Sequence, residues 1–501
     1  MTAPVTLIEQ QERIGAPAPS EVGTLARRGA MWSAGLIASR YLVSVSATAV
    51  LARLLAAKDY GLIGMVATFT ALFQFFSDFG LSWATVRCKD LRRQQADNLF
   101  WINTGGGALL WAVCSLCGPM LNRFYGRTEL SSVTAVLGAT FLFSGAAVQP
   151  MAILRRQMRF RQLTFVELYS HLAGALIGIT LAMWHFGYWA LVGQAVAAQC
   201  ALAVLLMLRC RYWPGAPRAD SGTLPLLKFG GYLAAFGGVT YLARNLDSVL
   251  IGRYWGADEL GYYSRAYFLM MLPAFLATGS LNAVMVPALS VLHEDTQKLG
   301  QAYQTAVGMV GLIAFPFAFG LAVTAREVVD FVYGPKWAPV ASIFAWLSIA
   351  CLFQPLQATL GWLYIAANKT RTMFFVGVAA SAIVCAAFVI GNRWGARGVA
   401  AAYACANLAL ILPLLATAHR SAGLRLRSTI RVLVPLFIAA AAMGLVALVM
   451  KQAAMHYTHS RVAVLLLTAG AGATFYTGVV LRFCSGQVAP LMRGWSGSRQ
   501  S

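Results

Sequence analysis

The chain runs to 501 residues, 59% hydrophobic and 11% charged, with a mean hydropathy of +0.66. Soluble domains carry roughly 25% charged residues, and disordered chains combine low hydrophobicity with high charge, so both classes are excluded. The net charge of +22 would suggest nucleic acid on a soluble chain, but its cations fall in short clusters between apolar runs, without a long basic stretch interleaved with aromatics. Such clusters orient membrane spans and meet anionic lipid.

Residues 1–28 are polar, include Pro17 and Pro19, and lack an apolar core ahead of a cleavage site. They read as a cytoplasmic tail and not as a cleaved signal. Apolar runs then predict six spans at 29–51, 60–83, 99–121, 131–151, 164–184 and 189–208. The connection 209–228 contains Pro214, Gly215, Pro217 and Gly222 and reads as a hinge between lobes at 29–208 and 229–419. Six more spans follow at 229–252, 262–284, 303–325, 338–360, 373–391 and 399–419. The segment 420–481 holds two more, at 432–450 and 462–481, before a cytoplasmic tail at 482–501. The expectation is an all-α polytopic membrane protein with about 14 transmembrane helices, each needing about 20 residues.

Counting Lys and Arg on alternate sides orients the chain. With the N-terminus inside, 25 fall on that side and 12 on the other, and Arg40 and Arg244 remain within spans. Both termini are therefore expected in the cytoplasm. The nine cysteines lie within or beside apolar runs; Cys114 and Cys117 have redox or zinc spacing, but mid-span and with no second pair they read as small packing residues.

An internal repeat supports the two-lobe division. Leu51-Ala-Arg53-Leu-Leu-Ala-Ala57-Lys-Asp59-Tyr-Gly61 matches Ile251-Gly-Arg253-Tyr-Trp-Gly-Ala257-Asp-Glu259-Leu-Gly261, sharing Arg-x3-Ala-x-(Asp/Glu)-x-Gly. Gln149-Pro150 recurs as Gln354-Pro355, and Phe165-Val166 as Phe375-Val376. Six spans separate the copies, so equivalent loops face the same side and the repeats are parallel.

The most informative residues are charges within hydrocarbon. Arg40 lies mid-span, where insertion scales assign Arg about 2.5–3.5 kcal/mol, and Ser33, Ser44 and Thr48 share its helical stripe. Its counterpart span carries Arg244 with Tyr241, Asn245, Asp247 and Ser248. On one reading Arg244 pairs with Asp247 as structural glue and Arg40 meets a backbone carbonyl. On the other, both arginines line a central cavity and grip an anionic substrate, since guanidinium stays charged and binds phosphate bidentately. Arg40 has no acidic partner within its own helix, which favours the second.

Glu167 and His171 lie four residues apart in span five and are candidates for a coupling proton or a structural hydrogen bond. Asp78, before Phe79-Gly80, is a candidate cation ligand or cap. Gln149 and Gln354 precede prolines, where broken helices often line cavities. Trp32, Tyr41, Tyr232 and Tyr241 lie near the arginine stripes, as candidate sugar-stacking or lipid-facing rings. Phosphate-binding loops, zinc-protease motifs and nucleophile elbows do not occur, and neither an enzyme nor a cofactor is expected.

Leu51-Ala-Arg-Leu-Leu, Asp59-Tyr-Gly-Leu, Ser77-Asp-Phe-Gly-Leu81 and Phe100-Trp-Ile-Asn103 closely resemble the polysaccharide transporter family. So do Val249-Leu-Ile-Gly-Arg253 and Leu260-Gly-Tyr-Tyr-Ser-Arg-Ala-Tyr267. Within that family the chain looks most like Wzx-type flippases of the colanic-acid and xanthan branch, from about residue 25 to about residue 420. The resemblance implies two six-helix lobes forming a V with a central cavity, plus two C-terminal helices. It also implies transport of an undecaprenyl-pyrophosphate-linked oligosaccharide, with a polymerase and chain-length regulator as partners. The rivals are a cation-coupled multidrug antiporter of the same fold, which would prefer acidic cavity residues, and a glycan polymerase or ligase, which would need reactive acids in its outer loops.

Overall fold

The computed structural model describes residues 39, 41–77, 93–217, 245–292, 295–458 and 460–483. Their helices are α1 (Tyr41–Leu54), α2 (Ala57–Ser77), α3 (Arg93–Tyr125), α4 (Leu130–Arg156), α5 (Phe160–Met183) and α6 (Trp189–Cys210). Next come α7 (Leu246–Tyr254), α8 (Gly256–Val291), α9 (Thr296–Val323), α10 (Ala325–Val332), α11 (Ala338–Ala350) and α12 (Gln354–Ala366). The last are α13 (Thr370–Gly391), α14 (Gly395–Ser421), α15 (Leu426–Tyr457) and α16 (Arg461–Phe483). The described parts of the expected spans fall largely on these helices; residues 29–38, 40, 78–83 and 229–244 of those spans lie outside the described residues, among which no strand occurs. Among the described residues, nine helical stretches are long and apolar enough to cross a membrane.

Several helices outrun the hydrocarbon. The 33 residues of α3 extend about 50 Å at 1.5 Å per residue, against a core of about 30 Å, so its polar ends project into the interfaces. The exterior is apolar: Leu116 and Leu445 are 80% and 67% exposed, which suits lipid and would be anomalous in water.

The chain divides into two compact units, Met1–Gly261 and Tyr262–Ser501. In the first, α3 and α4 form a close antiparallel hairpin, α5 and α6 a second, and α4 packs on α6. The α3–α4 contact is backbone to backbone, since methyls on Gly107 and Gly145 would overlap the carbonyls of Phe141 and Asn103. Cys114 is buried beside Gly138 and its thiol faces the Thr134 carbonyl, the packing role expected of it. After α6 the chain is fastened to α3: Tyr212 donates to Asp97 Oδ1 at 2.5 Å and Trp101 Nε1 donates to the Gly215 carbonyl at 2.8 Å. Burial, and then the Asp97 carboxylate, push the Tyr212 hydroxyl far above the usual tyrosine range, so it stays a donor at physiological pH. The connection read as a hinge from 209 is thus tied down as far as Gly215.

The turns repeat as well as the sequence. The α4–α5 turn is closed by Met158 at φ 55°, and the α12–α13 turn by Asn368 at φ 53°. In each, the next N–H reaches back to an equivalent carbonyl, Arg159 to Leu154 at 3.0 Å and Lys369 to Tyr364 at 2.8 Å, the pattern of a Schellman cap. The proline positions differ. Helix α4 runs unbroken past Pro150, whereas the second repeat is interrupted between Ala350 and Gln354, placing Pro355 in the first turn of α12. A first-turn proline lacks only an N–H that would have been unpaired in any case.

In the second unit, α9 packs on α15, α11 and α12 on α14, and α15 on α16. His419, 1% exposed, joins α14 to α15: Nδ1 lies 2.7 Å from the Leu415 carbonyl and Nε2 lies 2.8 Å from Thr429 Oγ1. A carbonyl only accepts, so Nδ1 carries the proton and the Thr429 hydroxyl donates to Nε2. At the other end of α15, Lys451 Nζ lies 2.9 Å from Glu327 Oε2 on α10 and donates to the Val323 carbonyl at 2.8 Å. Asp330, one turn further along α10, pairs with Arg461 of α16.

Glu327 is 3% exposed, so removing its partner leaves a buried charge uncompensated. Lys451→Ala is expected to destabilise the protein by about 3–5 kcal/mol, while Lys451→Met combined with Glu327→Leu should recover most of that. The check is the apparent Tm in detergent; a single variant as stable as the unmodified protein refutes the buried-pair account.

Candidate functional site

The first arginine stripe belongs to α1, which buries Ala47, Thr48, Leu51 and Ala52. Ser44 is half-buried one turn before Thr48, so the two hydroxyls lie along one side of the helix. Arg40 lies outside the described residues.

In the second repeat α7 begins at Leu246, and Asn245 stands before it as the N-cap residue, at φ −111° and ψ 13°. Asn245 is half-buried and its carbonyl accepts the Val249 N–H at 3.3 Å. Helical face arithmetic therefore applies from Leu246 onward. Tyr241 and Arg244 lie outside the described residues.

Asp247 is 4% exposed and its Oδ1 accepts the Ser248 N–H at 2.6 Å. With Ile251 and Gly252 it is one of the buried residues of α7, Ile251 lying one turn on along its side. A methyl on Gly252 would touch Tyr125 at 3.1 Å, Leu260 at 3.2 Å and Met65 at 3.3 Å, so α7 packs at Gly252 against α3, the first turns of α8 and α2. The carboxylate is thus held inside protein and not against lipid, the setting in which an intramembrane acid carries a functional or pairing role. The stripe residues that are described, Ser44 with Thr48 and Asn245 with Asp247 and Ser248, are each gathered within about one helical turn.

Glu167 and His171 occupy a different part of the first unit. They lie one turn apart on α5, which packs on α4 and α6, with Glu167 half-buried and His171 exposed. Beside them runs an exposed ladder: the Arg161 guanidinium sits 5.8 Å from the centre of the Phe165 ring, which stacks on Tyr169 at 6.2 Å. The second repeat reproduces the first rung, with Arg371 5.9 Å from Phe375. The repeated Phe-Val pair therefore brings a cation with it in both copies. Asp78 lies outside the described residues. Among the described residues, no three His, Cys, Asp or Glu side chains converge as a metal site.

Two features had little or no sequence signal. The Glu327–Lys451 and Asp330–Arg461 pairs join residues over 120 positions apart in sequence, and nothing in the local pattern announces them. The glycines of the repeated motif were visible as matches, but the reason for their size appears only in how α2 meets α8.

Residues 50–342, more than half of the chain, match the family described as "Polysaccharide biosynthesis protein". The Escherichia coli (strain K12) protein named "Lipopolysaccharide biosynthesis protein WzxC" is 26% identical over 431 residues, covering 83% of this chain and 87% of the relative. The Rhizobium meliloti (strain 1021) "Succinoglycan biosynthesis transport protein ExoT" is 22% identical over 299 residues, covering 59% of this chain and 60% of the relative. Among solved structures, "Lipid II flippase MurJ, inward closed conformation" matches with a TM-score of 0.74 at 14% identity, over 91% of this chain and 99% of that one. At that identity the likeness speaks to the fold, and it meets the expectation of an all-α polytopic membrane architecture. The chain belongs to the polysaccharide biosynthesis protein family, as a multi-pass membrane protein with a flippase-like fold.

Proposed function

We propose that the protein is an alternating-access flippase that moves undecaprenyl-pyrophosphate-linked oligosaccharide units from the cytoplasmic to the periplasmic leaflet of the bacterial inner membrane. The product feeds exopolysaccharide or O-antigen assembly, beside a polymerase and a chain-length regulator. One observation carries the reading: a chain of a polysaccharide biosynthesis family shares its fold, over nearly its whole length, with a lipid II flippase. The physical need is plain, because several sugars and a pyrophosphate cannot cross hydrocarbon unaided when each unpaired polar group costs several kcal/mol.

In this reading Arg40 and Arg244 hold the pyrophosphate, and Ser44, Tyr241 and Asn245 serve sugar hydroxyls. Asp247, Glu167, His171 and Asp78 are the coupling candidates, and the prenyl chain remains in lipid. Both termini are cytoplasmic, the lobes are 29–208 and 229–419, and the connection that flexes is the part beyond the fastening at Tyr212 and Gly215. No covalent step on the substrate is required.

Depletion of the protein should trap complete prenyl-linked repeat units in the cytoplasmic leaflet, identifiable by mass spectrometry and by their protection from periplasmic reagents. Units that reach the periplasm unpolymerised point instead to a polymerase or ligase, and unchanged lipids with altered drug sensitivity to an antiporter.

Arg40→Ala should lower export roughly tenfold or more, as expected on losing a charge-assisted hydrogen bond to phosphate, with membrane insertion intact. Arg40→Lys should keep part of the activity. Normal export by the alanine variant, at normal protein abundance, removes Arg40 from the headgroup site.

A further inference from the structure

The turns into α5 and α13 repeat one pattern: a left-handed residue, a cation, an arginine two positions on, and Phe-Val four positions after that. Met158, Arg159, Arg161 and Phe165-Val166 supply it in the first unit, and Asn368, Lys369, Arg371 and Phe375-Val376 in the second. In each copy the guanidinium lies at nearly the same distance from its ring, 5.8 and 5.9 Å. Both copies face outward. The four cations are exposed, Tyr169, stacked on Phe165, is 52% exposed, and Phe375 is 58% exposed. Beyond each ring the helix continues apolar and exposed, through Leu172 and Leu176 on α5 and Val378 and Ile383 on α13.

The chain supplies little counter-charge here. Asp330 is the last acidic residue of the sequence, and it and Glu327 pair with Arg461 and Lys451. Around the first copy, Glu167 is the one acid between Glu129 and Asp220. The helices also fix the depth of these cations. With 24 and 22 residues, α5 and α13 extend about 36 and 33 Å against a hydrocarbon core of about 30 Å, so an arginine in the first turn stands at the level of lipid phosphates.

We propose that the first turns of α5 and α13 are each a binding site for an anionic phospholipid. The guanidinium takes the phosphodiester, the phenylalanine ring lies against the glycerol region, and an acyl chain follows the apolar side of the helix. A guanidinium stacked on a ring keeps its donors at its edge, where they match phosphate oxygens. The charge count assigns both turns to the cytoplasmic side, whose leaflet attracts such basic clusters when its lipids are anionic. The sites stand apart from the flippase reading, since their occupancy involves no transport.

Native mass spectrometry of the full chain, titrated in detergent with phosphatidylglycerol and separately with phosphatidylethanolamine, tests them. Two phosphatidylglycerol molecules should bind more tightly than phosphatidylethanolamine. Arg161→Gln and Arg371→Gln should each weaken one of the two at least fivefold, and the double variant both, with phosphatidylethanolamine binding unchanged. Phe375→Leu, which keeps the cation, should weaken the second site by a smaller factor. Arg393→Gln with Arg397→Gln removes the same charge from a turn assigned to the outer side and should change neither site. A double glutamine variant that binds phosphatidylglycerol like the unmodified protein, or an outer-turn control that loses as much, overturns the sites. Displacement of both lipids by an equal concentration of undecaprenyl diphosphate also overturns them, by assigning the turns to a prenyl-diphosphate ligand.

Discussion

Within hydrocarbon a backbone N–H or C=O has no water to turn to, so each span must satisfy its own ladder, and irregular backbone is confined to places buried in protein or set at an interface. This constraint organises what is seen. Prolines such as Pro119, Pro150, Pro316, Pro413 and Pro435 sit inside helices that nevertheless continue. The one long interruption in a described span, between Ala350 and Gln354, is lined by buried residues, with the Cys351 thiol facing the Met270 carbonyl. Even the left-handed residues Met158 and Asn368 serve it, because they turn the chain while keeping the last carbonyls of the preceding helix paired.

The same lack of water governs the charges. The described ionisable groups that leave water come with company: Lys451 with Glu327 and a backbone carbonyl, Asp97 with Tyr212, His419 between Leu415 and Thr429. The first and last of these bind α15 to the second unit at its opposite ends, and the Asp330–Arg461 pair binds α16; both helices lie outside the repeat. The two helices beyond the repeat are therefore fastened parts of that unit and not loose additions to it.

The repeat is visible at three levels with different physical causes. Arg-x3-Ala-x-(Asp/Glu)-x-Gly is a packing motif, conserved in form because two backbones meet there. The equivalent caps at Met158 and Asn368 are matters of chain reversal. The Arg161–Phe165 and Arg371–Phe375 pairs hold a guanidinium over a ring in the first turns of α5 and α13.

The amino-acid sequence by itself determined the class of protein, the order of its apolar runs and the existence of the repeat. These are one-dimensional properties: hydrocarbon thickness sets the length of an apolar run, and charge on alternate loops sets its sense. It also singled out Ser44, Asn245 and Asp247, because polar residues stand out in an apolar stretch. It did not say that Asn245 caps the start of α7, that Asp247 is buried, or that Glu327 meets Lys451 across 124 residues. Those outcomes depend on which helix faces end up together, and a helix carries no local mark of its neighbour. The glycines at 61 and 261 show the division most clearly. Their match was legible in the chain, but their necessity lies in carbonyls contributed by the opposite repeat, which only the tertiary structure brings to them.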